Sequence, residues 1–252
     1  MIWHGFGDRS NSVILLIHGV LTPWTIWQEV IDHYSRYYHV IVPELDAHTL
    51  SEPSSYTSVE DEADKICRCV NMLNGGRIHM ICGLSMGGRI AAAVAGTPGI
   101  SVDRLVLDGA PLLKLPKMLR NFMTNNYIKL IARSRRREPK VIESFKRDFL
   151  PAKYLDDYLK ITDNMDEESV RNMIGSVFGW EMIKRYDDGL KILFMHGTRG
   201  NESVSRKAAV RLKTVNPQTG IRCFDGYGHA ELLCREPAKW IEEVDRWAGA
   251  DQ

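Results

Sequence analysis

The run Ile81-Cys82-Gly83-Leu84-Ser85-Met86-Gly87-Gly88 sets one serine between glycines two positions away on either side. Residues 78–82 form an apolar run of strand length, and residues 89–95 are alanine-rich and read as a helix. A strand that turns directly into a helix around one residue forces that residue into a strained backbone conformation. A Cβ at position 83 or 87 would then collide with the neighbouring strand and helix, which is why glycine stands at both. The spacing predicts that Ser85 Oγ is exposed at the carboxyl edge of a sheet. The first N–H groups and the positive end of a helix would be aimed at it.

In this strand–turn–helix setting Ser85 resembles the nucleophile elbow of the α/β-hydrolase superfamily. Two further stretches carry the resemblance. Residues 13–17 read as a buried parallel-type strand and run into His18-Gly19-Val20-Leu21, similar to the family's H-G-x-x loop. After the last apolar strand, residues 221–224, comes Asp225-Gly226-Tyr227-Gly228-His229-Ala230-Glu231, followed by a helix from residue 237 to about 248. A histidine on a glycine-flanked loop before the final helix matches the family's catalytic histidine, and no other of the eight histidines has that context.

The resemblance implies acyl transfer, with Ser85 as nucleophile, His229 as base, and the amides of Val20 and Met86 as the oxyanion hole. His18 is read differently, as a buried histidine bonded to backbone that shapes its loop. The acid is open. The family places it a few residues after the penultimate strand, commonly three beyond a glycine. Here that glycine is Gly197 and the third position is Gly200, which has no carboxylate. Glu202, two residues further on, would reach His229 if the loop bulges. Asp108, at the end of the preceding strand, is the alternative acid, its other reading being a cap on the Gly109 turn.

Elsewhere the chain alternates strand and helix. One short strand is expected over residues 1–6, a trimmed form of the family's N-terminal hairpin. A helix over 24–34, a strand over 40–43 and a capped helix from 57 or 58 to about 73 follow. Residues 43–51 line up with the family's P-D-x-x-G-H-G-x-S loop, but Ala47 and Thr49 replace its glycines, so a different path is expected. Between the strands at 104–107 and 192–195 lie about eighty residues that read as helices over 117–137, 140–149, 152–162 and 167–186. Such an insertion resembles the helical cap of many α/β-hydrolases. Within it, Arg133-Ser134-Arg135-Arg136-Arg137 reads as a solvated helix end, with an anion grip as the alternative.

Of the 252 residues, 44% are hydrophobic and 26% charged, ordinary for a globular protein, and with a formal charge of +1 nothing global argues for nucleic acid or an anionic membrane, so neither is expected as a partner. No apolar run approaches the roughly 20 residues of a membrane span. Five cysteines without C-x-x-C spacing read as reduced cytoplasmic thiols. No metal is expected, since histidines and cysteines lack ligand spacing, and no dinucleotide cofactor, since no G-x-G-x-x-G follows the first strand.

The expectation is therefore an α/β-hydrolase fold: a mostly parallel sheet flanked by helices, with a helical cap inserted between the sixth and seventh strands of the family pattern. Residues 1–111 and 187–252 would form the core and 112–186 the cap. The expected activity is that of a serine carboxylesterase acting on small or medium acyl esters, without cofactor. Alternatives are hydrolysis of amides, lactones or carbon–carbon bonds, and a non-catalytic protein that binds a small ligand under the cap.

Overall fold

The computed structural model describes residues 1–200 and 202–249. Seven strands form one sheet: β1 (Ile2–Phe6), β2 (Val13–Ile17), β3 (His39–Glu44), β4 (Arg77–Leu84), β5 (Ser101–Asp108), β6 (Lys191–Gly197) and β7 (Thr219–Phe224). Their spatial order is β1-β3-β2-β4-β5-β6-β7, and only β1 runs antiparallel to its neighbour. All five residues of β2 and the last five of β4 are buried, because the middle of a parallel sheet is covered by helices on both faces.

Helices α1 (Gln28–Tyr34), α2 (Val59–Asn74) and α3 (Met86–Ala95) connect the strands of the first half. Ser58 caps α2, its hydroxyl accepting from the Asp61 N–H at 3.1 Å, and Gly75 ends that helix in the left-handed conformation. The chain order reverses between β2 and β4: β2 leads outward to β3, and β4 leads the other way to β5. A crevice forms outside the carboxyl ends of strands at such a reversal. His18-Gly19 follows β2 and Ser85 follows β4, so both lie at that crevice.

Between β5 and β6 the chain forms α4 (Lys117–Arg135), α5 (Pro139–Ser144), α6 (Leu155–Asn164) and α7 (Glu167–Phe178). A short π-helical stretch, Phe145–Phe149, follows α5, and a 3-10 turn, Ala152–Tyr154, precedes α6. The fourth insertion helix does not reach residue 186 as its composition predicts. It stops at Phe178, because tertiary bonds claim the backbone beyond: Trp180 C=O accepts from Arg89, and Met182 N–H donates to Leu112 C=O at 2.8 Å. Arg89 of α3 is fully buried and also donates to Pro111 C=O at 2.9 Å, so one guanidinium ties both ends of the insertion to α3. Burial lowers its pKa to about 10, which leaves it charged at neutral pH.

Helices α8 (Glu202–Val215), α9 (Glu231–Arg235) and α10 (Pro237–Gly249) complete the fold. No helix among the described residues is long and apolar enough to cross a membrane.

Candidate active site

Ser85 has φ 54° and ψ −118°, a conformation that costs about 1–3 kcal/mol for a residue with a side chain. Burying even two of the large apolar side chains of β4, at about 1.5–3 kcal/mol each, offsets that strain. Close packing leaves room for nothing larger than glycine beside it. A Cβ on Gly83 would lie 2.4 Å from the Gly87 carbonyl oxygen, and one on Gly87 would lie 2.3 Å from that of Ile17. Met86 is the first residue of α3, so its N–H has no carbonyl one turn back to receive it.

His229 reaches Ser85 from the loop after β7. Its Nε2 lies 2.9 Å from Ser85 Oγ, and its Nδ1 lies 2.5 Å from Glu202 Oε1. Burial opposes a charge on Glu202, but the bond and charge of His229 and the Gly197 N–H, which donates to Oε2 at 3.0 Å, outweigh it. The carboxyl is held below its ordinary range. An ionised carboxylate only accepts, so Nδ1 carries the proton and Nε2 presents its lone pair to the Ser85 hydroxyl. Burial alone would disfavour protonation of His229, yet the Glu202 bond and the charges of Glu202 and Asp108 raise its pKa above the usual histidine value.

Glu202 reaches the imidazole from the start of a helix. Glu202 is the first residue of α8, and the turn before that helix carries its carboxylate under the imidazole. This turn and the histidine loop are stitched together. The N–H groups of Thr198 and Arg199 donate to Tyr227 C=O at 2.9 and 3.0 Å, and Gly226 N–H donates to Thr198 Oγ1 at 2.9 Å. Arg199 also pairs with Glu231, whose carboxylate accepts the Gly228 N–H at 2.7 Å.

Asp108 does not bond the imidazole. Its Oδ2 accepts from Trp240 Nε1 at 3.0 Å, and burial together with the nearby Glu202 charge pushes its pKa up to about 7. Its backbone carbonyl holds the elbow, accepting from Ser85 N–H at 2.7 Å.

On the other side of Ser85, two neutral histidines hold the loop after β2. His18 donates from Nδ1 to Gly19 C=O at 3.0 Å and accepts the Leu45 N–H at Nε2, at 3.1 Å. His48 donates from Nδ1 to Asp46 C=O at 3.1 Å and accepts the Leu21 N–H at Nε2, at 3.0 Å. Burial lowers their pKa values to about 3 and about 4. Thr22 Oγ1 accepts the Gly19 N–H at 2.9 Å. The Val20 N–H, between those of Gly19 and Leu21, meets no acceptor among the described residues. The part of His48 is not legible in the sequence, where the loop reads as divergent for want of glycine. Ala47 instead takes φ 61° itself, the region glycine favours, at a cost of roughly 1–2 kcal/mol.

A cavity of about 400 Å³ opens over Ser85 and His229. Leu119, Met123 and Tyr127 of α4 and Phe178 of α7 form much of its wall. The only carboxylate trio with metal-like spacing among the described residues, Asp46, Asp61 and Glu62, lies elsewhere and is bridged by Lys65 Nζ at 2.5, 2.5 and 3.1 Å.

Residues 12–137, half of the chain, match the family model described as alpha/beta hydrolase fold. The chain belongs to the α/β-hydrolase family. The chain is 32% identical over 108 residues to the (E)-2-((N-methylformamido)methylene)succinate hydrolase of Acinetobacter baylyi, across 42% of this chain and 41% of that one. It is 28% identical over 109 residues to an AB hydrolase superfamily protein of Gibberella zeae, across 43% of this chain and 39% of that one. The matched stretch thus spans about two fifths of each relative's length. Among solved structures, an alpha/beta hydrolase family protein from Desulfitobacterium hafniense superposes with a TM-score of 0.77 at 23% identity, over 98% of this chain and 100% of the other. The enol-lactonase from Burkholderia xenovorans superposes at 0.70 and 17% identity, over 98% and 96%. At these identities the likeness is one of fold.

Proposed function

We propose that this α/β-hydrolase is a serine carboxylesterase for small or medium acyl esters, with Ser85, His229 and Glu202 as its catalytic triad. The observation that carries the reading is the unbroken hydrogen-bonded line from Glu202 Oε1 through His229 to Ser85 Oγ. His229 Nε2 takes the hydroxyl proton as Oγ attacks the ester carbonyl. The negative charge that develops on the carbonyl oxygen is met by the amides of Val20 and Met86. As the intermediate collapses, His229 returns the proton to the departing alkoxide. Water then attacks the acyl-enzyme with the same histidine as base, releasing the acid and restoring Ser85.

The helices of residues 112–186 act as the cap, since α4 and α7 supply apolar walls directly over the serine. Asp108 is a buried brace for Trp240 and Ser85, and Glu202 is the acid. The five free cysteines accord with a reducing, cytoplasmic setting. The same machinery would open an amide or a lactone, so the ester reading is tested against both.

Turnover of p-nitrophenyl acetate, butyrate and hexanoate is measured beside that of a simple lactone and an anilide, for the wild type and for Ser85→Ala. The expected result is ester turnover that exceeds the others and falls to background in the variant. Ester turnover undiminished in Ser85→Ala would remove the nucleophile from the account.

A further inference from the structure

A second cavity of about 390 Å³ lies beside the one over Ser85. The two share three wall residues, Val20 on the loop after β2, Tyr127 on α4 and Phe149 at the end of the π-helical stretch. Beyond them the second cavity is mostly apolar, walled by Leu21, Phe145 and Tyr158 among others. Tyr127 faces both spaces, and its hydroxyl takes no hydrogen bond from the described residues. Burial raises its pKa, so it remains a donor at any working pH.

Charge is unevenly disposed around this second space. Arg133 lines it, but its Nε donates to Glu138 at 2.6 Å. Asp148 lines it too, and its carboxylate accepts from Arg147 at 2.9 and 2.7 Å and from Ser144 at 3.2 Å. Those two charges are answered locally. Lys140, the third charged residue of the wall, is exposed and has no acidic partner among the described residues. The remaining arginines of the 133–137 block are spent on the insertion itself: Arg135 on Thr162 C=O, Arg136 on Glu138 and Arg137 on Asp163. One positive charge without an acidic partner therefore stands on the mostly apolar wall of the cavity that adjoins the one over the serine.

We infer that the preferred ester carries one extended, mostly aliphatic arm that passes between Val20, Tyr127 and Phe149 into the second cavity and ends in a carboxylate held by Lys140. The inference rests on the hydrolase reading above and adds the class of substrate. An uncharged arm would gain the apolar walls and leave Lys140 without a role. A short arm would leave the second cavity to water.

The test compares matched pairs that differ only in a terminal carboxylate, one pair for each side of the ester. On the acyl side they are mono-p-nitrophenyl adipate and p-nitrophenyl hexanoate. On the alcohol side they are 6-acetoxyhexanoate and hexyl acetate. The readout is the ratio of kcat/KM within each pair, for wild type, Lys140→Arg and Lys140→Glu. In at least one pair the carboxylate is preferred by roughly five- to tenfold, in line with a charged bond at a half-open site. Lys140→Arg keeps that preference and Lys140→Glu reverses it. Equal rates in both pairs, or a preference unmoved by Lys140→Glu, overturn the inference while leaving the esterase standing. If none of the four esters is turned over by the wild type, the hydrolase reading fails and takes the inference with it.

Discussion

Replacing Glu202 by glutamine preserves the shape of the proposed acid and removes its charge, and the surroundings make the consequence calculable. Both carboxylate oxygens accept: Oε1 from His229 Nδ1 at 2.5 Å and Oε2 from the Gly197 N–H at 3.0 Å. Glutamine offers one carbonyl oxygen and one NH₂ group to these two donors. If its oxygen faces Gly197, its NH₂ faces Nδ1 and selects the imidazole tautomer with the proton on Nε2, which cannot accept from Ser85. If its oxygen faces Nδ1, the NH₂ abuts the Gly197 N–H, and a buried donor left unmatched costs about 1–3 kcal/mol. The first arrangement is the cheaper, so the inactive tautomer dominates. In the serine-protease precedent a change of this kind lowers kcat by about 10⁴, or roughly 5 kcal/mol at 1.36 kcal/mol per tenfold. We expect kcat of Glu202→Gln with p-nitrophenyl butyrate to fall by at least about 10² and toward that limit, with the folded state intact by circular dichroism. A fall of less than about tenfold in a folded variant would refute the tautomer argument and the assignment of the acid.

Further outcomes follow from the same geometry. Asp108→Asn keeps an oxygen for Trp240 and lowers kcat by less than about tenfold, since Asp108 makes no bond to the imidazole and only its through-space charge on His229 is lost. Its Tm relative to wild type rises between about pH 4 and 7, because a buried carboxyl with pKa raised to about 7 costs the wild type stability as pH climbs from the unfolded value to the folded one; a difference that falls over that window contradicts the burial argument. Gly109→Ala sets a Cβ 2.7 Å from His229 Cε1 at a residue with φ 60°, and the displaced imidazole lowers kcat/KM by about 10² or more; unchanged kinetics would mean the ring has room to spare. In the wild type, kcat/KM rises with pH through one ionisation above the reference histidine value of about 6.5, since only neutral His229 accepts the serine proton and its pKa is raised. A profile flat from about pH 5 to 8 would argue against a histidine base.

Much of this arrangement is legible in the chain because it depends on short-range constraints. The order of strands, the elbow and the histidine loop each rest on a few adjacent residues whose chemistry allows one local conformation. Ser85 between Gly83 and Gly87 is the clearest instance. The parts that were not legible depend on distant partners. Residues 179–186 have helical composition, but Arg89 and Leu112, remote in sequence, draw their backbone out of the helix. The α8 helix was missed although Ser205, Ala208, Ala209 and Leu212 repeat at helical spacing, and with it went the reason Glu202 sits where it does. Ala47 and Thr49 read as departures from the family loop, yet the two ring nitrogens of His48 join Asp46 C=O of that loop to Leu21 N–H of the loop after β2. The second cavity had no sequence signal, since its walls come from segments more than a hundred residues apart.

The central claim is that Ser85 is a nucleophile activated by its own fold. Intact-mass and peptide-mass measurement after treatment with a fluorophosphonate tests it most directly, without requiring the natural substrate to be known. The account predicts one adduct per chain, located on Ser85, formed faster as His229 loses its proton and absent from Ser85→Ala. A folded wild-type protein that acquires no adduct, or acquires it at another residue while Ser85 stays unmodified, would contradict the account.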